Sequence, residues 1–502
     1  MVYLLGIDLG TSSVKTIVFE AESGRTLAGA SCEYPIFHPQ PGYAEQNPDD
    51  WWSAAAQTVR QAVQESGIHP SAVRGIGLDG HMHGFACLGE DLRPLRPAII
   101  WADARSKPQV ETLRSRLSDH DMAQHAPGLP AAGFMGPTLM WLAVHEPETL
   151  SRTYVVLMPK DSVRLRMTGI PATDPSDAAG TWLFDVTAGD WSDWLVEQCR
   201  AERRYLPPVW PSAAVAGELL PSAAEALGLP SGIPVVVGSA DLPAQGLGHG
   251  LYAPGRALSV IGTGGQVFAL LTNPRTDPQL RYYVFDYPIP DRWYVQTAIL
   301  SAGLSLRWLR DILGLTARPD AYEYLSHLAS QVPPGADGLA FLPYLAGERT
   351  PHMDPAATGV FLGLRLHHTV GHLARAVMEG VTFAMDECLS LVIEAANDPN
   401  LAITITGGAA SSPVWRQIQA DIYRRPLALA GGANHGSVGA ALLAGVGSGV
   451  YTSFEEACAR LPRAAAQVEP DPTTAEIYLA RREHYRGLYS RLKDDMHRLQ
   501  SL

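Results

Sequence analysis

Two short turns of the same make, roughly half a chain apart, limit what this sequence can fold into more than any other feature. The first, Gly10-Thr11-Ser12-Ser13, joins an apolar run over 3–7 that ends in Asp8 to a second run over 14–19. The other, Gly262-Thr263-Gly264-Gly265, lies between apolar runs over 257–261 and 267–271. Each reads as strand, glycine-hydroxyl turn, strand: a hairpin, not a strand feeding a helix. Recurrence at this distance predicts two related domains that face each other. A chain of 502 residues is also too long for one ordinary core.

The rest of the chain alternates strand and helix patterns, which predicts an α/β class. Asn47-Pro48-Asp49-Asp50 opens a helix, with Asn47 as cap, Pro48 in the first position and acids in the first turn; Gly67 ends it. Buried strands are expected over 73–78 and 234–237, the second closed by Gly238-Ser239-Ala240-Asp241. Helical periodicity covers 373–389, a strand over 401–405 runs into Gly407-Gly408, and a helix follows over 411–422. The small residues over 435–443 predict a helix that packs closely, and a charged helix covers 473–499. Glycines cluster over 246–254, so the expected domains are 1–247 and 248–502 with a hinge between them.

Composition excludes several classes. The formal net charge of −13, with no basic stripe, argues against nucleic acid as a partner but not against a nucleotide, which needs only locally placed amides and a cation. The five cysteines are scattered and never paired as CxxC, which offers neither a disulfide framework nor a zinc site and fits a reducing cytoplasm. No apolar run reaches membrane-spanning length, and the start of the sequence reads as a buried strand rather than a signal peptide.

The chemistry-bearing residues cluster at strand ends. In Asp8-Leu9-Gly10-Thr11-Ser12-Ser13 the glycine lets backbone approach an anion, amides and hydroxyls donate to phosphate oxygens, and Asp8 can hold Mg²⁺ through water. For this turn alone a plain hairpin is an equal reading. Gly262, Thr263, Gly264 and Gly265 form the matching turn, and two such turns can clamp a triphosphate from two sides. Gly407-Gly408 offers bare backbone to an adenine or ribose. Asp241 ends a buried strand, where α/β sheets place ligands, and a single carboxylate suits phosphoryl transfer, in which the base orients a hydroxyl and takes its proton late. A helix-capping role for Asp241 stays open beside it. In Asp79-Gly80-His81-Met82-His83-Gly84 a metal reading is set aside for want of partners, leaving His83 to bind a hydroxyl. Trp101 and Asp103 can supply an apolar sugar face and a polar partner, or Asp103 can cap a helix.

Together these motifs resemble the FGGY carbohydrate kinases over nearly the whole chain. The stretch from Asp8 to Lys15 is similar to the family's first phosphate hairpin, and Gly80-His81-Met82-His83-Gly84 to its sugar loop, which implies that Met82 and His83 contact the sugar. Met158-Pro159-Lys160-Asp161 and Ser176-Asp177-Ala178-Ala179-Gly180-Thr181 look like the members that act on D-xylulose. The segment around Asp241 resembles the one holding the catalytic aspartate. Gly347-Glu348-Arg349-Thr350-Pro351 fits the second-domain signature, and Thr406-Gly407-Gly408-Ala409-Ala410-Ser411 the adenosine segment. The chain departs from the family pattern at Asp79, His81, Ala102, Ala104, Thr138, Leu242 and Gly264, mostly on the sugar side. The resemblance implies actin/RNase H-like domains around a cleft, ATP with Mg²⁺, and a small sugar as substrate. D-xylulose is expected first, with ribulose, gluconate, glycerol or xylitol as alternatives; a homodimer is allowed. A different class, an actin- or Hsp70-like ATPase without a sugar substrate, shares the fold. ADP release is expected only when an acceptor sugar is supplied; equal release without sugar would favour the ATPase.

Overall fold

The computed structural model describes residues 1–462 and 466–501. The chain forms two compact units. The first comprises Met1–Tyr252, Thr272–Tyr294 and Gly432–Pro462; the second comprises Ala253–Leu271, Val295–Gly431 and Arg463–Leu502. The first break falls inside the glycine-rich 246–254 stretch, but two later segments return to the first unit, so the division in space is not a single cut in the chain.

The first unit is built on a seven-stranded mixed sheet. Its order is Val215–Glu218, Pro234–Val236, Val73–Gly80, Tyr3–Leu9, Ser13–Glu20, Arg25–Glu33, with Ser239–Ala240 also paired to Val73–Gly80. The predicted hairpin is present: Tyr3–Leu9 and Ser13–Glu20 pair antiparallel with Asp8 opposite Lys15. On its other side Tyr3–Leu9 pairs parallel to Val73–Gly80, which sets Asp8 beside Asp79. The helix Pro48–Ser66 starts as expected, with Asn47 accepting from the Asp49 amide, and ends at Gly67.

Alternation along the two central strands sorts their residues between faces. Leu5, Ile7, Leu9, Ile76 and Leu78 share one core with Trp51, Ala55 and Val59 of the helix Pro48–Ser66. Leu4 lies in the other core, with Val438, Ala441 and Leu442 of the helix His435–Gly447. This is the small-residue helix expected over 435–443, and it belongs to the first unit. Backbone lies against backbone there. A Cβ on Gly6 would stand 1.7 Å from the Ser437 carbonyl oxygen, one on Gly77 1.9 Å from that of Ala440, and one on Gly439 1.9 Å from that of Ala244 in the helix Asp241–Gly248. Glycine is therefore the only residue these positions accept without movement.

The second unit repeats the plan. Arg256–Ile261 and Gly265–Leu271 form the second predicted hairpin, and Arg256–Ile261 pairs parallel to Ala402–Thr406, which pairs parallel to Leu427–Leu429. In both units a hairpin strand is thus followed in the sheet by two strands parallel to it. The apolar pattern over 373–389 belongs to a longer helix, Val370–Ala396, and the charged C-terminal pattern is two helices, Pro472–Arg486 and Leu488–Ser501, broken at Gly487.

Gly77→Ala should lower the melting temperature of the protein by a cost of about 1–3 kcal/mol, the usual price of forcing a methyl into packed backbone. A melting curve unchanged from the parent would show that the helix can move away freely.

Candidate functional site

On the face of the first sheet covered by the helix His435–Gly447, the central strands read Leu4, Gly6, Asp8 and Gly75, Gly77, Asp79. The small residues admit the helix, and the two aspartates meet its N-terminus. A Cβ on Gly436 would lie 2.9 Å from Asp8 Oδ2 and 3.3 Å from Asp79 Oδ1, so both carboxyl groups face the first turn of that helix. The orphan amides and positive dipole end of a helix favour negative charge there.

Asp8 is partly exposed, whereas Asp79 is fully buried and, among the described residues, no N–H or hydroxyl donates to either of its oxygens. Burial, then the charges of Asp8 and Asp241, push the Asp79 carboxyl well above the usual range, which favours its neutral form. Asp8 is raised too, by burial, with Lys15 opposing. Asp241 is partly exposed at the first position of the helix Asp241–Gly248, and its Oδ1 accepts from the Leu242 amide at 2.7 Å. Burial, then Asp8, raises it to about 7. It does not cap its helix, whose N-cap residue is Ala240.

Among the described residues, no three His, Cys, Asp or Glu side chains converge as a metal cage. Mg²⁺ is commonly held by one or two carboxylates together with substrate phosphates, and Asp8 fits that role: a partly exposed carboxylate beside the Asp79 oxygens, to which no N–H or hydroxyl donates among the described residues. The adjoining turn is closed by the Gly10 amide donating to the Ser13 carbonyl at 3.0 Å. Tyr34 O–H donates to the Gly10 carbonyl, and Gln46 Nε2 to that of Thr11 at 2.6 Å. Ser12 and Lys15 are exposed; Thr11 and Ser13 are half-buried.

The expected sugar residues divide. His83 stacks on Phe134, centroids 4.1 Å apart, and its Nδ1 lies 2.6 Å from the Gly180 carbonyl oxygen, so Nδ1 carries a proton and donates it there. Met82 is buried against Gly180. Trp101 is 48 % exposed and its indole N–H donates to Thr11 Oγ1 at 2.9 Å, which ties this ring to the first turn. Asp103 is committed elsewhere: Oδ1 accepts from the Arg105 amide and Nε, Oδ2 from the Ala44 amide and Arg105 Nη2. It is not a helix cap either, because the next helix begins at Lys107 behind Ser106. His81 turns into the core edge-on to Trp51, and burial lowers it to about 3.

A buried ionic cluster adjoins Asp241, and its role could not be read from the sequence. Lys160 Nζ lies 2.7, 2.9 and 3.0 Å from Asp161 Oδ1, Asp174 Oδ1 and Asp177 Oδ2, with every partner fully buried. Burial alone would lower the ammonium, but the three aspartates outweigh it and keep Lys160 charged. Gly238, at φ 91°, lets the chain turn past the Leu78 carbonyl and the Lys160 stem; a Cβ there would be 2.4 Å from that oxygen. Asp79 carried a signal, since it shares strand-end position and face with Asp8. The convergence of Lys160, Asp174 and Asp177 depends on packing between distant segments.

In the second unit, the turn Gly262–Gly265 is bound to the start of the helix Gly303–Ile312. The Gly303 amide donates to the Gly262 carbonyl at 2.9 Å, and the Ala302 and Leu304 amides donate to that of Thr263. Val260 pairs with Thr406, so Gly407 follows directly beside this turn, at φ 87° and with no room for a Cβ beneath the Ile261 carbonyl. Thr263, Gly407 and Gly408 are exposed, Gly262 and Gly264 partly so, and Gly265 and Ala409 are buried.

Two family models cover most of the chain: the N-terminal domain of the FGGY family of carbohydrate kinases matches residues 3–248, and its C-terminal domain matches residues 257–448. A xylulose kinase of Bacillus subtilis (strain 168) is 35 % identical over 98 % of this chain and 98 % of its own length. A gluconokinase of the same strain is 29 % identical over 90 % of this chain and 89 % of its own. The crystal structure of a xylulose kinase from Rhodospirillum rubrum superimposes with a TM-score of 0.91 at 29 % identity, over 99 % of this chain and 100 % of that one.

Asp79 has a raised folded-state pKa, so the stability it contributes is complete below the ordinary aspartate value and is lost as pH rises towards its folded value. Asp79→Asn, measured with chelator present, should flatten the fall in melting temperature as pH rises above the ordinary aspartate range. A fall as steep as the parent's would mean that Asp79 is ionised when folded.

Proposed function

Because the chain belongs to the FGGY family of carbohydrate kinases and is a phosphotransferase acting on a sugar, we propose that it transfers the terminal phosphoryl group of ATP to D-xylulose in the cytoplasm, with Asp241 as general base. The observation that carries the base assignment is a partly exposed carboxyl group at a strand's end, held near pH 7 by burial and by Asp8. A base poised near working pH combines a usable ionised fraction with the strength to take a proton.

The sugar hydroxyl attacks the terminal phosphorus, its oxygen bonds to phosphorus, and the bond from phosphorus to the bridging oxygen breaks to release ADP. Asp241 Oδ2 takes the hydroxyl proton; Oδ1 is occupied by the Leu242 amide, which fixes the carboxylate plane. Asp8 would hold Mg²⁺, which when bound with the nucleotide offsets charge on the phosphate oxygens. The turn amides and hydroxyls of Gly10, Thr11, Ser12 and Ser13, with Lys15, serve the phosphates; so do Gly262, Thr263, Gly264 and Gly265. Gly407, Gly408 and Ala409 serve the adenosine. His83 serves a sugar hydroxyl, and Met82 and Trp101 supply apolar contact.

Charge favours a neutral sugar over an aldonate. Arg105 is bound to Asp103 and Glu45, and Lys160 to three aspartates, so these two cations are already engaged. Asp103 is proposed as a support for the Trp101 loop through Arg105.

ADP release over D-xylulose, D-ribulose, gluconate, glycerol and xylitol should give the highest kcat/KM with D-xylulose; a higher value for gluconate would overturn the substrate assignment. Asp241→Asn should lower kcat about 10²- to 10⁴-fold with both KM values near the parent's. The acid limb of kcat/KM should fall as pH drops through about 7, because the base must be ionised.

A further inference from the structure

Among the described residues, the two-residue strand Ser239–Ala240 pairs with Val73–Gly80 on one side only, and it leads directly into Asp241. Its outer edge is buried, since Ser239 and Ala240 are both fully covered, so an unpaired amide there would be costly. The Ala240 N–H instead donates to Ser176 Oγ at 3.0 Å. Ser176 has one hydroxyl proton and directs it to Asp174 Oδ2 at 2.5 Å, which leaves its oxygen free to accept. Asp174 in turn is paired through Oδ1 with Lys160 Nζ at 2.9 Å. Every member of this series is fully buried.

We propose that Ser176 is a positioning residue for phosphoryl transfer: it stands in for the missing neighbouring strand and, anchored by Asp174 and Lys160, fixes the backbone from which the Asp241 carboxylate projects. The inference rests on the reading of Asp241 as general base. The physical logic is rigidity. Asp241 opens a helix behind a two-residue strand, and so short a strand has little pairing of its own to hold it. Ser176 Oγ, donating to a carboxylate, is a better acceptor than a hydroxyl donating to water, because bonds in a series polarise one another. The carboxylate is held in turn beside a fully buried ammonium that lies within 3.0 Å of three carboxylate oxygens.

Ser212 supplies a matched comparison. Its hydroxyl also donates to Asp174 Oδ2, at 2.8 Å, and it is likewise buried, but it does not touch Ala240. Ser176→Ala and Ser212→Ala each remove one buried bond to the same carboxylate, so both should lower the melting temperature. Only Ser176→Ala frees the Ala240 amide. It should lower kcat for the sugar about 10- to 100-fold, with sugar and ATP KM values near the parent's, as expected when a reacting group is displaced by a fraction of an ångström. Ser212→Ala should keep the parent's kcat. Equal kcat losses in the two variants, or a parent-like kcat for Ser176→Ala, would overturn the proposal. Should Ser176→Ala fail to fold, Ser176→Cys, whose thiol is a poor acceptor of similar size, is measured the same way, and a parent-like kcat there would overturn it equally. Asp241→Asn run alongside separates the two levels. A parent-like kcat in that variant removes the base assignment and this inference with it; a large loss there, with Ser176→Ala matching Ser212→Ala, removes the inference alone.

Discussion

The close contact between the helix His435–Gly447 and the first sheet is the constraint on which the first unit's chemistry depends. Glycines at positions 6, 77 and 439 let backbone oxygens come where side chains would otherwise stand. That approach has two consequences. It lays a helix N-terminus over Asp8 and Asp79, and it clamps the helix that Asp241 opens, through Gly439 against Ala244. A helix held one side chain further out would leave the two neighbouring carboxyl groups uncovered on this face. The carboxyl cluster and the small-residue helix are therefore one device, although they lie at opposite ends of the chain.

The second fixed point is the ionic cluster around Lys160. Burying charges costs more than their mutual attraction returns unless every polar atom is well placed, and breaking such a pair leaves an uncompensated charge at about 3–5 kcal/mol. A cluster of this kind adds little net stability. What it does is tolerate only one arrangement of the segments that carry it, namely the helix Pro159–Thr168, the cap residue Asp174 and the helix Pro175–Ala179. Those segments flank the strand ends from which Asp79 and Asp241 project.

Much of this was legible in residue order. Both hairpins, the helix after Asn47, the strand into Gly407 and the small-residue helix lie where turn chemistry and periodicity put them, because each depends on neighbours within a few positions. The actin/RNase H-like α/β fold and the carbohydrate kinase family were legible too, from motifs spread over the whole length. Side-chain assignments were less so. Asp103 reads as a ligand for hydroxyl groups, yet its oxygens are taken by Arg105 and the Ala44 amide, a partner 59 positions away. Asp79 reads as one residue of a sugar loop, yet it is sealed beside Asp8, because pairing between parallel strands brings together residues from distant parts of the chain.

Residue order by itself determined which stretches are strands, which glycine-rich turns join them, and that one late helix had to lie against backbone; these follow from local stereochemistry and side-chain size. Only the tertiary structure decided that this helix returns to the first unit, that Asp8, Asp79 and Asp241 act on one another, and that the Ala240 amide rests on Ser176. Those facts are contacts between segments far apart in the chain, and strand register and helix packing, not sequence proximity, choose the partners.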